Sequence, residues 1–233
     1  MRGGKIILLG GCVAAGLLAA LAMRGRSEMP VKPTAAVAEP VHAEADKWNE
    51  RAIDSATGQL QTGDIVLRMG LGADSYLLAQ LNRKNKNYSH CGIVAIENGK
   101  PYVYHSIGGE DNPDERLRRD PAAFYFSDRH NSAIAIVRYE LGRDGAERLV
   151  AVAREFYKKR PRFDMKFDLA TDDKLYCSEF VYKALRLAAK DTAYVSTTQG
   201  MAGKYVAIDN LLLNKHAKPV LEIKFKQYLY SRN

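Results

Sequence analysis

The chain is poor in cysteine and nearly without tryptophan: three Cys and one Trp in 233 residues. It has no CxxC pair and no Cys/His spacing of the zinc type, so neither a zinc module nor a disulfide scaffold is encoded. No segment repeats, which excludes solenoids and propellers. The formal net charge is +8. No RNP-like aromatic pattern or concentrated basic helix accompanies it, so nucleic acid is not an expected partner. The charge favours anionic surfaces in general, and the runs Arg83-Lys84 and Lys158-Lys159-Arg160-Pro161-Arg162 read as solvated surface. The length suffices for one well-packed domain plus a leader, but hardly for two.

Long apolar runs are also absent, with one exception at the start. Arg2 and Lys5 precede Ile6 to Met23, a stretch without charge that is rich in Leu, Ala and Gly. Residues 1–23 are therefore expected to be a signal peptide or a membrane anchor. Ala20-Leu21-Ala22 fits a small-x-small cleavage site. The run is near the minimum length for a single span. Leu9-Gly10-Gly11-Cys12 resembles a lipobox, in which Cys12 would be lipidated. All three fates place the rest of the chain outside the cytoplasm, in the periplasm or at the membrane. Residues 24–45, punctuated by Pro30, Pro33 and Pro40, read as a flexible tether. Residues 46–233 form the expected domain.

Within it, a helix is expected from Asp46 to Ala56 and a strand at Ile65-Val66-Leu67. Asp74 to Leu81 reads as helix and Arg83 to Tyr88 as loop. His90 to Ile96 and Tyr102 to Ile107 are strands around Asn98-Gly99, a strong hairpin signal. Ile134 to Tyr139 adds a strand to the same antiparallel sheet. Asp144 to Lys159 has helical spacing, with Leu149, Val152, Ala153 and Phe156 on one stripe. A second helix runs from Cys177 to Ala189, with Val181, Ala184, Leu185 and Ala188 as its stripe. Strand-like runs follow at Tyr205 to Ile208 and Val220 to Phe225. The class is α+β: a small, barrel-like antiparallel sheet with packed helices.

The hairpin carries a geometric consequence. If Asn98 and Gly99 are the two turn residues, His105 falls opposite Gly92 and His90 opposite Ile107. His90 and His105 are then diagonal neighbours on one face, within side-chain reach. Gly92 is expected to leave open space across from His105. Cys91 points to the other face as a small buried hydrophobe. Cys177 starts a helix, where the first-turn N–H groups favour a thiolate. A thiolate and an imidazole are the minimum apparatus of covalent acyl transfer. That reading requires the Cys177 sulfur and a His90 nitrogen in one cleft, within about 4 Å. Cys91 and Cys177 are read as free thiols with different jobs. Asp64 is expected to brace the loop at the first strand, and Glu179 to stabilise the helix start. His42, His130 and His216 read as surface residues. No metal or cofactor is implied.

Gly63-Asp64-Ile65-Val66, Ser89-His90-Cys91-Gly92-Ile93-Val94, Val103-Tyr104-His105 and Leu175-Tyr176-Cys177-Ser178-Glu179-Phe180-Val181-Tyr182 together resemble the circularly permuted NlpC/P60 enzymes of the papain-like superfamily, in particular the YiiX/YebB-like branch. In these the His strand precedes the Cys helix, as here. The resemblance covers Ile53 to Ile208. It implies Cys177 as nucleophile, His90 as general base and His105 as the residue that orients the base. That branch tends to carry an acid at the third position; a His there resembles the lecithin:retinol acyltransferase-like branch. Tyr176 is a candidate for the oxyanion site or the pocket wall.

Three functions compete on this footing. The first is a cysteine amidase or peptidase on cell-wall peptides, working through a thioester. The second is a lipid acyl hydrolase or acyltransferase. The third is a non-enzymatic envelope-binding module. A groove of charged and hydrogen-bonding groups favours the first, and a long apolar channel the second.

Overall fold

The computed structural model describes residues 38–109, 112–201 and 203–227, with side chains from residue 43 onward. The expected leader at 1–23, Cys12 and most of the tether lie outside these residues.

Helix α1 spans Ala38–Gly58, so it starts earlier than expected and takes up the last part of the tether, residues 38–45. Pro40 does not prevent this, because a first-turn N–H has no helical acceptor to lose. Strand β1 (Ile65–Gly70) leads to the short helix α2 (Ala73–Ala79). The hairpin follows as β2 (His90–Glu97) and β3 (Lys100–His105). Then come β4 (Arg118–Pro121), one turn of helix α3 (Ala122–Tyr125) and β5 (Asn131–Tyr139). Helices α4 (Gly142–Lys159) and α5 (Cys177–Ala189) are followed by the two-residue strands β6 (Thr198–Gln199) and β7 (Lys204–Tyr205), helix α6 (Ile208–Leu212) and β8 (Ala217–Lys224).

Six strands make one antiparallel sheet in the order β4-β3-β2-β1-β5-β8. The order is open, with β4 and β8 as edges, and barrel closure is not seen among the described residues. The strand expected from Tyr205 to Ile208 ends at Tyr205; Ile208 already opens α6.

Alternation along the strands divides the core in two. Ile65, Leu67, Cys91, Ile93 and Ala95 face a layer that contains Leu149, Ala153, Phe180, Ala184 and Leu185 from α4 and α5. Val66, Val94, Val103, Ile134 and Ile136 face the other way, toward Ala56 of α1, Tyr125 of α3 and Phe126. Burial on both faces explains why the strands read as continuous apolar runs rather than alternating ones.

Two local devices hold the sheet in register. Asn98 and Gly99 both take positive φ, 50° and 75°, which a tight two-residue hairpin turn requires. The resulting ladder pairs Glu97 with Lys100 and Ile93 with Tyr104, as the turn predicts. At the start of β1, the buried Asp64 carboxylate accepts from the Gln61 N–H at 2.8 Å and takes both Nε and an Nη of Arg138 at 2.7 and 2.8 Å. This is the bracing role expected for Asp64.

Candidate active site

β2 begins with the residue that matters. His90 follows a polar loop tied down by Asn82, whose side chain donates to the Tyr88 carbonyl at 2.8 Å. Its side chain lies on the α1/α3 face, together with Arg68, its cross-strand partner on β1. His105 ends β3 on the same face. The two rings meet edge to face, and His90 Nε2 is 2.8 Å from His105 Nδ1.

Gly92 makes this approach possible, but by closing space rather than opening it. A Cβ there would lie 2.5 Å from Val103 Cγ1, 2.8 Å from the Tyr104 carbonyl oxygen and 3.0 Å from His105 Cβ. The expected gap opposite His105 is filled by the neighbouring strand.

The chain of contacts continues past the two imidazoles. His105 Nε2 is 2.9 Å from Asp120 Oδ2, and the other oxygen of Asp120 accepts from Arg118 at 2.9 Å. Asp120 sits on β4, the edge strand. The sequence hides it inside the charged run Asp114-Glu115-Arg116-Leu117-Arg118-Arg119-Asp120, where no strand is expected. Its one signal is Pro121, a residue that edge strands tolerate.

Electrostatics fix the protons along this line. Burial works to raise the Asp120 pKa, but the hydrogen bonds of His105 and Arg118, together with the Arg118 charge, outweigh it and hold the carboxyl below its ordinary range. Burial lowers the His105 pKa to about 4, against the opposing pull of Asp120. His105 is therefore neutral at pH 7, and Arg118 is the cation that keeps Asp120 ionised. Burial also lowers the His90 pKa well below its ordinary range, and the charges of Arg68 and His105 act in the same direction.

An ionised carboxylate only accepts. His105 must therefore carry its hydrogen on Nε2 and present a bare Nδ1. His90 must then donate from Nε2, which leaves its own Nδ1 as a free lone pair. The direction is Asp120 ← His105 ← His90, and the open end of the chain is a base.

Cys177 arrives from the opposite face, as the first residue of α5. Ser106, one residue past β3, donates its hydroxyl to the Leu175 carbonyl and ties the helix start to the end of the hairpin. The Cys177 thiol is held below its ordinary pKa first by a hydrogen bond from the Cys91 thiol; burial opposes this, and the backbone N–H groups of Cys91 and Ser178 support it. Cys91 is pushed well up, by burial and then by the Cys177 sulfur. Cys91 is thus buried as expected, yet it is a direct partner of Cys177 rather than a passive hydrophobe. Among the described residues no hydrogen bond joins the Cys177 sulfur to His90. A link runs through the start of β2: Cys91, which follows His90, supplies an N–H that helps to lower the Cys177 pKa.

Tyr176 does not present the amide expected of an oxyanion donor. Its N–H is directed to Glu179 Oε2 at 3.3 Å, and its hydroxyl accepts from the Val206 N–H at 2.8 Å. It braces the helix start. Glu179 stabilises that start, as expected, and its second oxygen is 2.8 Å from Lys183 Nζ. Burial nonetheless raises its pKa to about 7.

Sequence reasoning also missed Arg68 and Tyr125. The Arg68 guanidinium lies 5.0 Å from the Tyr125 ring centroid, and the Tyr125 ring is 5.8 and 5.1 Å from those of His90 and His105. With Arg118, Asp120, His105 and the exposed His130, these residues line a cavity of ≈ 60 Å³. His130 is at the surface, as expected. His216 is half-buried and stacks on Tyr194 at 4.4 Å, a departure from the surface reading. The side chain of His42 lies outside the described residues. A larger cleft of ≈ 370 Å³ between Phe156 and Leu187 contains none of these groups. Among the described residues no three His, Cys, Asp or Glu side chains gather in a metal-binding arrangement.

The uncharacterized protein YiiX of Escherichia coli (strain K12) is 27% identical over 132 residues, which are 56% of this chain and 59% of that protein. The chain thus spans less than two thirds of that relative's length. The crystal structure of metalloprotein YiiX from Escherichia coli O157:H7 matches with a TM-score of 0.58 at 21% identity, over 71% of this chain and 99% of that one; this is a likeness of fold. Residues 59–207 match the permuted papain-like amidases, YaeF/YiiX, C92 family, and the chain belongs to that family.

Proposed function

We propose that this protein is a cysteine amidase in which Cys177 attacks an amide carbonyl and His90 serves as general base. One observation supports the reading: the hydrogen-bond chain from Asp120 through His105 leaves the lone pair of His90 Nδ1 open, one residue before Cys91, whose thiol and N–H lower the Cys177 pKa. His90 takes the thiol proton. The thiolate adds to the carbonyl, and the tetrahedral intermediate collapses to a thioester as His90 protonates the departing amine. Water then releases the acid. His105 and Asp120 hold the His90 ring and stabilise its cationic form between these steps.

Cell-wall peptides are the substrate class this reading favours. The wall beside the imidazoles is built from Arg68, Arg118, Asp120 and His130, and it suits a polar peptide better than an acyl tail. The apolar run Ile6 to Met23 supports action in the cell envelope, with the N-terminus directing export or membrane association. Among the described residues no helix is long and apolar enough to cross a membrane.

The test is hydrolysis of defined muropeptides by the full chain, with Cys177→Ala as control and phospholipids as the competing substrates. Release of new amino groups by the wild type alone supports the reading. Release of fatty acid with intact muropeptides selects the lipid acyl hydrolase instead.

A further inference from the structure

Arg68 is an unusual residue to find on a sheet face beside two histidines. Its Nη1 donates to the Asn131 side chain at 3.3 Å, and it stands over the Tyr125 ring. Its Nε is buried without a hydrogen-bond partner. Both neighbours are neutral, and no carboxylate forms an ion pair with it among the described residues. An arginine in such a position lowers the basicity of His90 and His105, which opposes the protonated state a general base must pass through. Its presence calls for a counter-charge that arrives from outside.

The adjoining cavity provides the place. Its charged groups are Arg68, Arg118 and Asp120, with the imidazoles of His105 and His130. Asp120 is already engaged by Arg118 and His105. Arg118 and Asp120 offset each other and His105 is neutral, so the unbalanced charge is the single positive one of Arg68. The volume of ≈ 60 Å³ exceeds the ~10–15 Å³ that a single water needs and leaves room for a small polar group such as a carboxylate. A planar guanidinium fork matches a planar carboxylate in two parallel hydrogen bonds.

We propose that this cavity is a subsite for a carboxylate of the acyl donor, with Arg68 as the residue that holds it. The enzyme is then selective for acidic donors over their neutral amides. The inference rests on the assignment of Cys177 as the reacting thiol.

The test uses alkylation of Cys177, which needs no hydrolysis. Matched reagents carry either a carboxylate or a carboxamide: N-iodoacetylglycine against N-iodoacetylglycinamide, then the homologous pairs with longer spacers. The ratio of the two rates cancels changes in thiol reactivity common to both reagents. In the wild type at least one spacer length should favour the carboxylate about tenfold, equivalent to ~1.4 kcal/mol. Arg68→Gln should bring that ratio to about one, and Arg68→Lys should lie between. A wild-type protein with no carboxylate preference at any length overturns the proposal, whatever the variants do. So does a preference that survives Arg68→Gln. If the preference depends on Arg68 but no amide is hydrolysed, the subsite stands and the amidase reading fails. If amides are cleaved with no preference for acidic donors, the reverse holds.

Discussion

His90 Nε2 lies 2.8 Å from His105 Nδ1, and this contact lets a carboxylate on an edge strand decide which nitrogen of His90 is basic. His105 has two faces to its ring and uses both. Asp120 takes the hydrogen of one nitrogen, so the other can only accept.

Asp120→Asn tests that direction. The asparagine amide can donate to His105 Nε2, which moves the His105 hydrogen to Nδ1 and forces His90 Nε2 to accept. The remaining hydrogen of His90 then sits on Nδ1, and the base is blocked. Acyl-enzyme formation from an activated amide should fall by about 10²–10⁴-fold, the range spanned by general base catalysis, while the fold is retained. A loss of only a few-fold would show that the tautomer is set elsewhere.

Cys91 gives a second test. Its thiol is the largest cause of the lowered Cys177 pKa, so Cys91→Ala should move the alkaline-rising limb of Cys177 alkylation to higher pH. The Cys91 backbone N–H is unchanged in this variant. An unmoved limb would mean that the backbone donors of Cys91 and Ser178 hold the thiolate by themselves.

Stability should also depend on pH through the buried rings. His105 binds its proton with a pKa of about 4 in the folded chain against 6.5 when unfolded. Between those values the unfolded state carries more protons, so stability is full above pH 6.5 and falls as pH drops to 4. The loss is on the order of 3 kcal/mol for this one ring. Urea unfolding from pH 4 to 7 should show the decline, and His105→Asn should flatten it. An equal slope in both proteins would contradict the burial of a neutral His105.

Much of this site was legible in the sequence because it rests on local rules. Asn98-Gly99 fixes the hairpin register, and the register alone puts His90 and His105 on one face. The apolar stripe starting at Cys177 gives the start of α5. What escaped detection depends on distant parts of the chain. Asp120 comes from a strand whose charged residues resemble a loop, because an edge strand has one side in solvent. Cys91 was placed on the correct face, but its partner there comes from a helix 86 positions away. Gly92 looks like a gap in the sequence because it lacks a side chain; in the sheet, the neighbouring strand takes up that space. The open order of the sheet also escaped, since closure depends on whether β4 meets β8 and no local pattern records that.

The most direct measurement of the central claim is the burst of acyl-enzyme. The wild type, His90→Ala, His105→Ala and Cys177→Ala are mixed with an activated amide, and the covalent adduct is located by mass spectrometry of the digested protein. The account predicts an acyl group on the peptide containing Cys177 in the wild type and none in Cys177→Ala. It predicts a reduced burst in His105→Ala and a still smaller one in His90→Ala, because only the latter loses the proton acceptor. Acylation that persists without Cys177, or a His90→Ala protein more active than His105→Ala, would contradict it.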